Sequence, residues 1–154
     1  MPARSYVAVE VLDLPEKLRR KRGWELKTYL QQLQRILNKY NQLPIIPDKV
    51  LVAKRLYQCL NPALPSGVHK TTLETIELIF SRIGPNRLAR DLAFYSEGIF
   101  PLFRHASYSV RPVLLDLFER YYVPLGPRVV PCLKAFLCSE VLFNFLLAIP
   151  CLIK

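Results

Sequence analysis

From Trp24 to Tyr40 the apolar residues Leu26, Leu30, Leu33, Leu37 and Tyr40 stand at spacings of four, three, four and three. On a helix that spacing draws one continuous stripe, with Gln31, Gln32, Gln34, Arg35, Asn38 and Lys39 filling the opposite face. Pro44 and Pro47 forbid its continuation. Asp48 is placed to cap a second helix over Lys49–Leu60, around which Val50, Leu51, Ala53 or Lys54, and Tyr57 or Gln58 cycle. The clusters Asn61-Pro62 and Pro65-Ser66-Gly67 close it.

A third helix is predicted from Val68 or His69 to Ile83, with Leu73, Ile76, Phe80 and Ile83 facing the core and Glu74, Glu77 and Arg82 outward. Gly84-Pro85 reads as a stop and restart, because glycine accepts the left-handed position after a helix and proline suits the first turn of the next. The fourth helix covers Asn86 to about Ser96 with Leu88, Leu92 and Tyr95 inward, and Gly98 and Pro101 are expected to kink or break it before His105. Ser107 or Ser109 is expected to cap a fifth helix running to Leu125, buried through Val113, Leu114, Leu117, Phe118 and Tyr121, with Pro112 tolerated in its first turn. Gly126-Pro127 repeats the earlier punctuation, and a last helical stretch spans roughly Val129–Ala148. Nothing alternates with a period of two between hairpin turns, so the chain reads as all-α.

Pro44, Pro85 and Pro127 follow one another at 41 and 42 residues, the second and third preceded by glycine. That is the period of HEAT and armadillo arrays, and it predicts antiparallel helix pairs in a short helical repeat.

Length and composition agree with one packed unit. The chain has 154 residues, 51% of them hydrophobic, enough to bury a core and to exclude the disordered class. The glycines are too scattered to cradle a phosphate, which excludes the common nucleotide-binding motifs. Cys59, Cys132, Cys138 and Cys151 include no CxxC pair, and His69 and His105 lie far from them in sequence, so metal-finger and redox spacings are missing. The cysteines read as small buried apolar residues and the histidines as capping or surface residues. No catalytic constellation and no cofactor are expected. Residues 1–13 hold no apolar segment of signal-peptide type, and the compartment reads as cytosolic.

The net charge is +10, and five of the six residues Lys17 to Arg22 (Lys17, Arg19, Arg20, Lys21, Arg22) are basic, so half of that charge sits in one segment. Lying between Pro15 and Gly23, it reads as a flexible arm or a frayed helix start. Three uses fit it: a solvated arm, a contact for anionic lipid headgroups, and a nuclear-localisation or nucleic-acid contact. Only Trp24 adjoins the run, whereas nucleic-acid stacking needs several rings, so nucleic acid is the weaker reading.

The stretch Leu51-Val-Ala-Lys-Arg-Leu-Tyr-Gln-Cys-Leu-Asn-Pro-Ala-Leu-Pro-Ser-Gly-Val-His69 carries more specific information than any periodicity. It resembles the N-terminal domain of the Dopey family. The likeness continues through Thr72-Leu-Glu-Thr-Ile-Glu-Leu-Ile-Phe80, Arg82-Ile-Gly-Pro-Asn-Arg-Leu-Ala-Arg-Asp-Leu92, Ser109-Val-Arg-Pro112, Pro124-Leu-Gly126 and Pro131-Cys-Leu133, over about Leu26 to Leu137. The resemblance implies a helical-repeat scaffold of the cytosol, peripheral on Golgi, trans-Golgi network and endosome membranes and acting in transport between endosomes and the trans-Golgi. It further implies as partners a Golgi scaffold related to large Arf exchange factors, a phospholipid flippase, conventional kinesin and a phosphoinositide-bearing membrane.

Three parts follow: a basic arm over 1–23, a Dopey-like helical domain over 24–137 and a divergent hydrophobic tail over 138–154. Because family members run on for many hundreds of residues, the chain reads as an isolated N-terminal module, a truncated gene product or an alternative ending. The tail carries no charge over the 13 residues Val141 to Ile153, short of the roughly 18–20 needed to span a bilayer, and reads foremost as a buried or partner-covered helix. The candidate contacts are the arm, Lys17, Arg19, Arg20, Lys21 and Arg22, for anionic membrane, and the loop Asn61, Pro62, Pro65, Ser66 and Gly67 for a partner protein, with a rigid inter-helix turn as the plainer role of that loop. Lys54, Arg55, Arg87, Arg90, Arg111 and Arg128 read as solvated faces or internal ion pairs, or as an anionic-ligand surface. The expected function is a non-enzymatic adaptor in vesicle transport, against a basic nucleic-acid-binding protein or a non-functional fragment as alternatives.

Overall fold

A computed structural model describes residues 23–134. Along these run helix α1 (Gly23–Lys39), α2 (Lys49–Cys59), α3 (Ser66–His105), α4 (Arg111–Leu117), a π-helical turn (Phe118–Tyr122), a 3-10 segment (Val123–Val129) and α5 (Val130–Lys134). No strand occurs among the described residues, and the all-α class holds.

The stripe of α1 is buried as its spacing predicts, with Leu26, Leu30, Leu33 and Leu37 at 0–2% exposure and Tyr29 beside them. On α2 the buried face is Val52, Ala53, Arg55, Leu56 and Cys59, while Val50 and Tyr57 are about half exposed. Sequence spacing leaves that face open, because the apolar residues surround the helix and draw no clean stripe. Asp48 does stand at its N-cap, but in the left-handed conformation (φ 46°, ψ 43°) and with no side-chain capping bond.

In α3, Gly84 (φ 72°, ψ 168°) divides the helix into arms 66–83 and 85–105. That backbone region is essentially reserved for glycine, which is why the stop and restart sits here. The second arm, however, runs through Gly98 and Pro101 to His105. Gly98 is no breaker: a Cβ there would lie 2.9 Å from Tyr57 Cδ2 and 3.0 Å from Tyr57 Cα, so its missing side chain lets α2 pack closely on α3. Pro101 is exposed on the outer face, where water can satisfy the carbonyl it leaves unpaired.

Neither Ser107 nor Ser109 caps α4; Val110 holds the N-cap, and the two hydroxyls pair with each other at 3.2 Å. The Ser107 carbonyl accepts the Val110 and Arg111 amides, which turns the chain without a side-chain cap. After about two α turns the helix widens into the π turn. The wider turn shifts the buried face so that Tyr122 joins Leu114, Leu117 and Phe118, while Tyr121 stays half-buried. Phe80, Tyr95, Phe100, Phe103, Phe118 and Tyr122 form the aromatic heart of the core, mostly edge-to-face or tilted. Of the stretch predicted over Val129–Ala148, only α5 falls within the described residues.

Six side-chain hydrogen bonds tie distant stretches together at nearly one sequence offset. Gln34 Nε2 donates to Thr75 Oγ1 (2.9 Å), Lys49 Nζ to Asp91 Oδ1 (2.6 Å), Arg120 to Glu77 Oε1 (2.9 Å) and Arg128 to Asn86 Oδ1 (3.1 Å). Arg82 and Arg87 donate to the carbonyls of Leu37 and Pro44. All six offsets lie between 41 and 45 residues. A constant difference in residue number along a contact means that the paired stretches run parallel. The stretches 23–59, 66–105 and 111–134 therefore lie side by side in the same direction, with the bends at Pro44, Gly84-Pro85 and Gly126-Pro127 next to one another.

Candidate functional site

The loop between α2 and α3 is built on Asn61. Its side-chain Oδ1 accepts the Ala63 amide at 2.9 Å, a local turn typical of asparagine, and its carbonyl accepts the Leu64 amide at 3.0 Å. His69 Nε2 lies 2.8 Å from the same carbonyl; a carbonyl can only accept, so the ring carries its proton on Nε2. His69 is 3% exposed, which corrects its reading as a surface or capping residue: it is the buried bolt that fastens the loop to α3. Pro65 then takes the N-cap of α3 with an extended backbone, and its carbonyl accepts the Val68 amide at 2.9 Å.

The five predicted loop residues are all exposed. Asn61 and Pro62, with Tyr57, Gln58, Gly98 and Pro101, line a pocket of about 420 Å3, whereas Pro65, Ser66 and Gly67 stand outside it at the entry to α3. Gln58 Oε1 is buried in that pocket region without a hydrogen-bond partner, a free acceptor beside the exposed ring of Tyr57. Sequence spacing does not mark either Tyr57, one of two alternatives cycling around α2, or Gly98, expected to kink or break its helix, as a pocket residue. The arm Lys17, Arg19, Arg20, Lys21 and Arg22 and the tail 138–154 lie outside the described residues.

The scattered cations separate by environment. Arg55 is 3% exposed, with its guanidinium carbon 6.0 Å from the centre of the Tyr29 ring, and is part of the core. Arg111 donates to the Ala106 carbonyl at 3.1 Å and Arg128 to Asn86, so both brace turns. Lys54, Arg87 and Arg90 line one open cleft between α2 and the second arm of α3. Sequence spacing alone does not show this grouping, because it comes from the side-by-side offset.

Burial holds the core phenols and thiols in their neutral forms. Desolvation pushes the Cys59 thiol up to about 12, and burial, partly opposed by the Arg55 cation, pushes the Tyr29 phenol to about 12. Tyr95 and Tyr122 are raised still further by burial, and the Cys132 thiol is raised as well. Cys59 and Cys132 are both buried and free, which agrees with their reading as small core residues. Among the described residues no group of three or more His, Cys, Asp or Glu is placed to hold a metal ion. Within the same residues no helix is long and apolar enough to cross a membrane.

The family model "Dopey, N-terminal" matches residues 18–143, spanning every described helix. Over 113 residues the chain is 48% identical to Protein DOP1B of Xenopus laevis and of Mus musculus, which covers 73% of this chain and 5% of each relative. Protein DOP1 of Saccharomyces cerevisiae is 37% identical over 118 residues, 76% of this chain and 7% of that protein. The chain thus spans about one-twentieth of the length of the first of these relatives. No solved structure matches it. The helical assembly fastened by Asn61 and His69 belongs to the Dopey family and corresponds to its N-terminal domain.

Proposed function

We propose that this chain is a non-enzymatic adaptor module of vesicle-mediated protein transport between endosomes and the trans-Golgi, held from the cytosol on Golgi and endosome membranes. The observation that carries the reading is the Dopey N-terminal match over residues 18–143, joined to a parallel side-by-side stack of helices. The stack is read as the start of a HEAT-like repeat in which each unit of about 42 residues covers the last, an architecture that exposes long ridges for partners. The basic arm Lys17 to Arg22 supplies the membrane contact through its charge. The loop Asn61 to Gly67 supplies a protein contact, stiffened by His69 so that little order is lost on binding. By family resemblance the partners are a Golgi scaffold related to large Arf exchange factors, a phospholipid flippase and conventional kinesin; no cofactor takes part.

Flotation of the full chain with phosphoinositide-containing vesicles, paired with pull-down against those partners, tests the reading. Flotation that falls when Lys17, Arg19, Arg20, Lys21 and Arg22 are neutralised, and that weakens with salt, supports it. No vesicle preference and no partner recovery would sink it. Steeply salt-dependent oligonucleotide binding would move the assignment to nucleic acid.

A further inference from the structure

The cleft that groups Lys54, Arg87 and Arg90 encloses about 860 Å3 and is open along one side. Its walls come from the bend after α1, the start of α2 and the second arm of α3. Two features set it apart from an ordinary solvated groove. Ile45 is 40% exposed and Val50 55% exposed in its lining, so apolar surface faces water where the core is close at hand. The lining carries four cations, Lys49, Lys54, Arg87 and Arg90, against two carboxylates, Asp48 and Asp91. Lys49 takes Asp91 at 2.6 Å and Arg87 is held by the neutral Pro44 carbonyl, while Lys54 and Arg90 have no partner among the described residues, so the cleft keeps an excess of positive charge.

We propose that this cleft receives an acidic peptide segment of a partner protein, anchored by an apolar side chain on Ile45 and Val50 and steered by Lys54 on one wall and Arg87 and Arg90 on the other. Charge complementarity selects the occupant. A bare phosphorylated headgroup would use the cations and leave the apolar floor wet, and a flat bilayer cannot enter a concave site. A peptide carrying Asp or Glu around a Leu, Ile or Phe satisfies both surfaces at once. The walls are already stiff. Pro44 and Pro47 restrict the bend, Asp48 fixes its left-handed corner, and Arg87 clamps it to α3, so ordering costs on binding are small. The site shares no residue with the basic arm or with the Asn61 loop, so its failure would leave the tests of those contacts untouched.

The test is selection of a random peptide library displayed on phage against the full chain, with the K54E/R90E variant as the counter-target. Both replaced side chains are exposed and have no partner among the described residues, so the variant should keep the far-ultraviolet circular dichroism of the parent. The expected result is enrichment of peptides that combine acidic and large apolar residues. Their affinity should fall about tenfold in K54E/R90E, fall again with added salt, and drop independently with Val50→Asp. Equal binding to K54E/R90E, or no enrichment over it, overturns the proposal. It is equally overturned if phosphatidylserine vesicles bind in a Lys54- and Arg90-dependent way that no selected peptide competes, which would make the cleft a lipid contact.

Discussion

Helix α3 holds three glycines in three different physical situations, and replacing each by alanine separates the causes. Gly67 is helical with nothing within 4 Å of its added Cβ. Gly67→Ala should stabilise the chain by up to about 1 kcal/mol, through helix propensity and a less flexible unfolded state. Gly84 also has open space around it, but at φ 72° and ψ 168°, so Gly84→Ala meets only backbone strain, about 1–3 kcal/mol. Gly98 is helical but crowded, and Gly98→Ala sets about 1 kcal/mol of propensity gain against overpacking of about 1–3 kcal/mol on the Tyr57 ring and backbone. The expected order of stability is Gly67→Ala, the parent, Gly98→Ala, Gly84→Ala, read from urea denaturation followed by circular dichroism. In melting temperature each kcal/mol is worth about 2–4 °C at this size. Adding Tyr57→Ala should relieve part of the Gly98→Ala loss, because the ring atom at 2.9 Å goes while the Cα at 3.0 Å stays. A Gly84→Ala chain as stable as the parent would show that the kink between the arms is not held at positive φ, and the reasoning would fail.

Other consequences are equally specific. Ser96 Oγ donates to the Leu92 carbonyl at 2.7 Å, so the Tyr122 hydroxyl at 2.9 Å must donate to it; Ser96→Ala strands that buried hydroxyl at about 1–3 kcal/mol, whereas Tyr122→Phe costs about 0.5–1.5 kcal/mol, and a reversed order in chemical denaturation would contradict the assignment. His69→Ala should release the Asn61 loop, raising cleavage at 61–65 in limited proteolysis, and unchanged cleavage would show that the loop is held otherwise. With Cys138 and Cys151 replaced by serine, a thiol reagent at pH 8 should label Cys59 only as the chain unfolds, since its thiol is pushed up to about 12; rapid native labelling of Cys59, located by peptide mapping, would refute its burial. Tyr29 and Cys59 keep their protons to about 12 when folded and release them near 10 and 9 when unfolded. The native state therefore holds more protons in that window, and stability should be full below pH 9 and decline toward pH 12, so a flat profile there would count against both groups being buried.

Much of the fold was legible because two signals were local. The spacing of Leu26, Leu30, Leu33 and Leu37 needs only the helical period, and Gly84-Pro85 needs only the conformational freedom of one residue and the restriction of the next. What escaped was decided by contacts between stretches. Gly98 looks like a breaker until Tyr57 is seen against it, and the face of α2 is ambiguous until α3 covers one side. The π turn that brings Tyr122 inward has no marker in residue type. The candidate contacts follow the same division: the turn chemistry of Asn61 is written in the loop, while the joining of Lys54 to Arg87 and Arg90 arises only when units about 42 residues apart lie next to each other.

That near-constant offset has a kinetic side. Each docking of one stretch on the previous one closes a loop of 41–45 residues, whose entropy cost varies only slowly with length and is on the order of 3 kcal/mol. No step must wait for the far end of the chain. Residues 23–105 hold everything the first docking needs, so structure can spread from the amino-terminal side as synthesis proceeds, each completed helix surface serving as the template for the next.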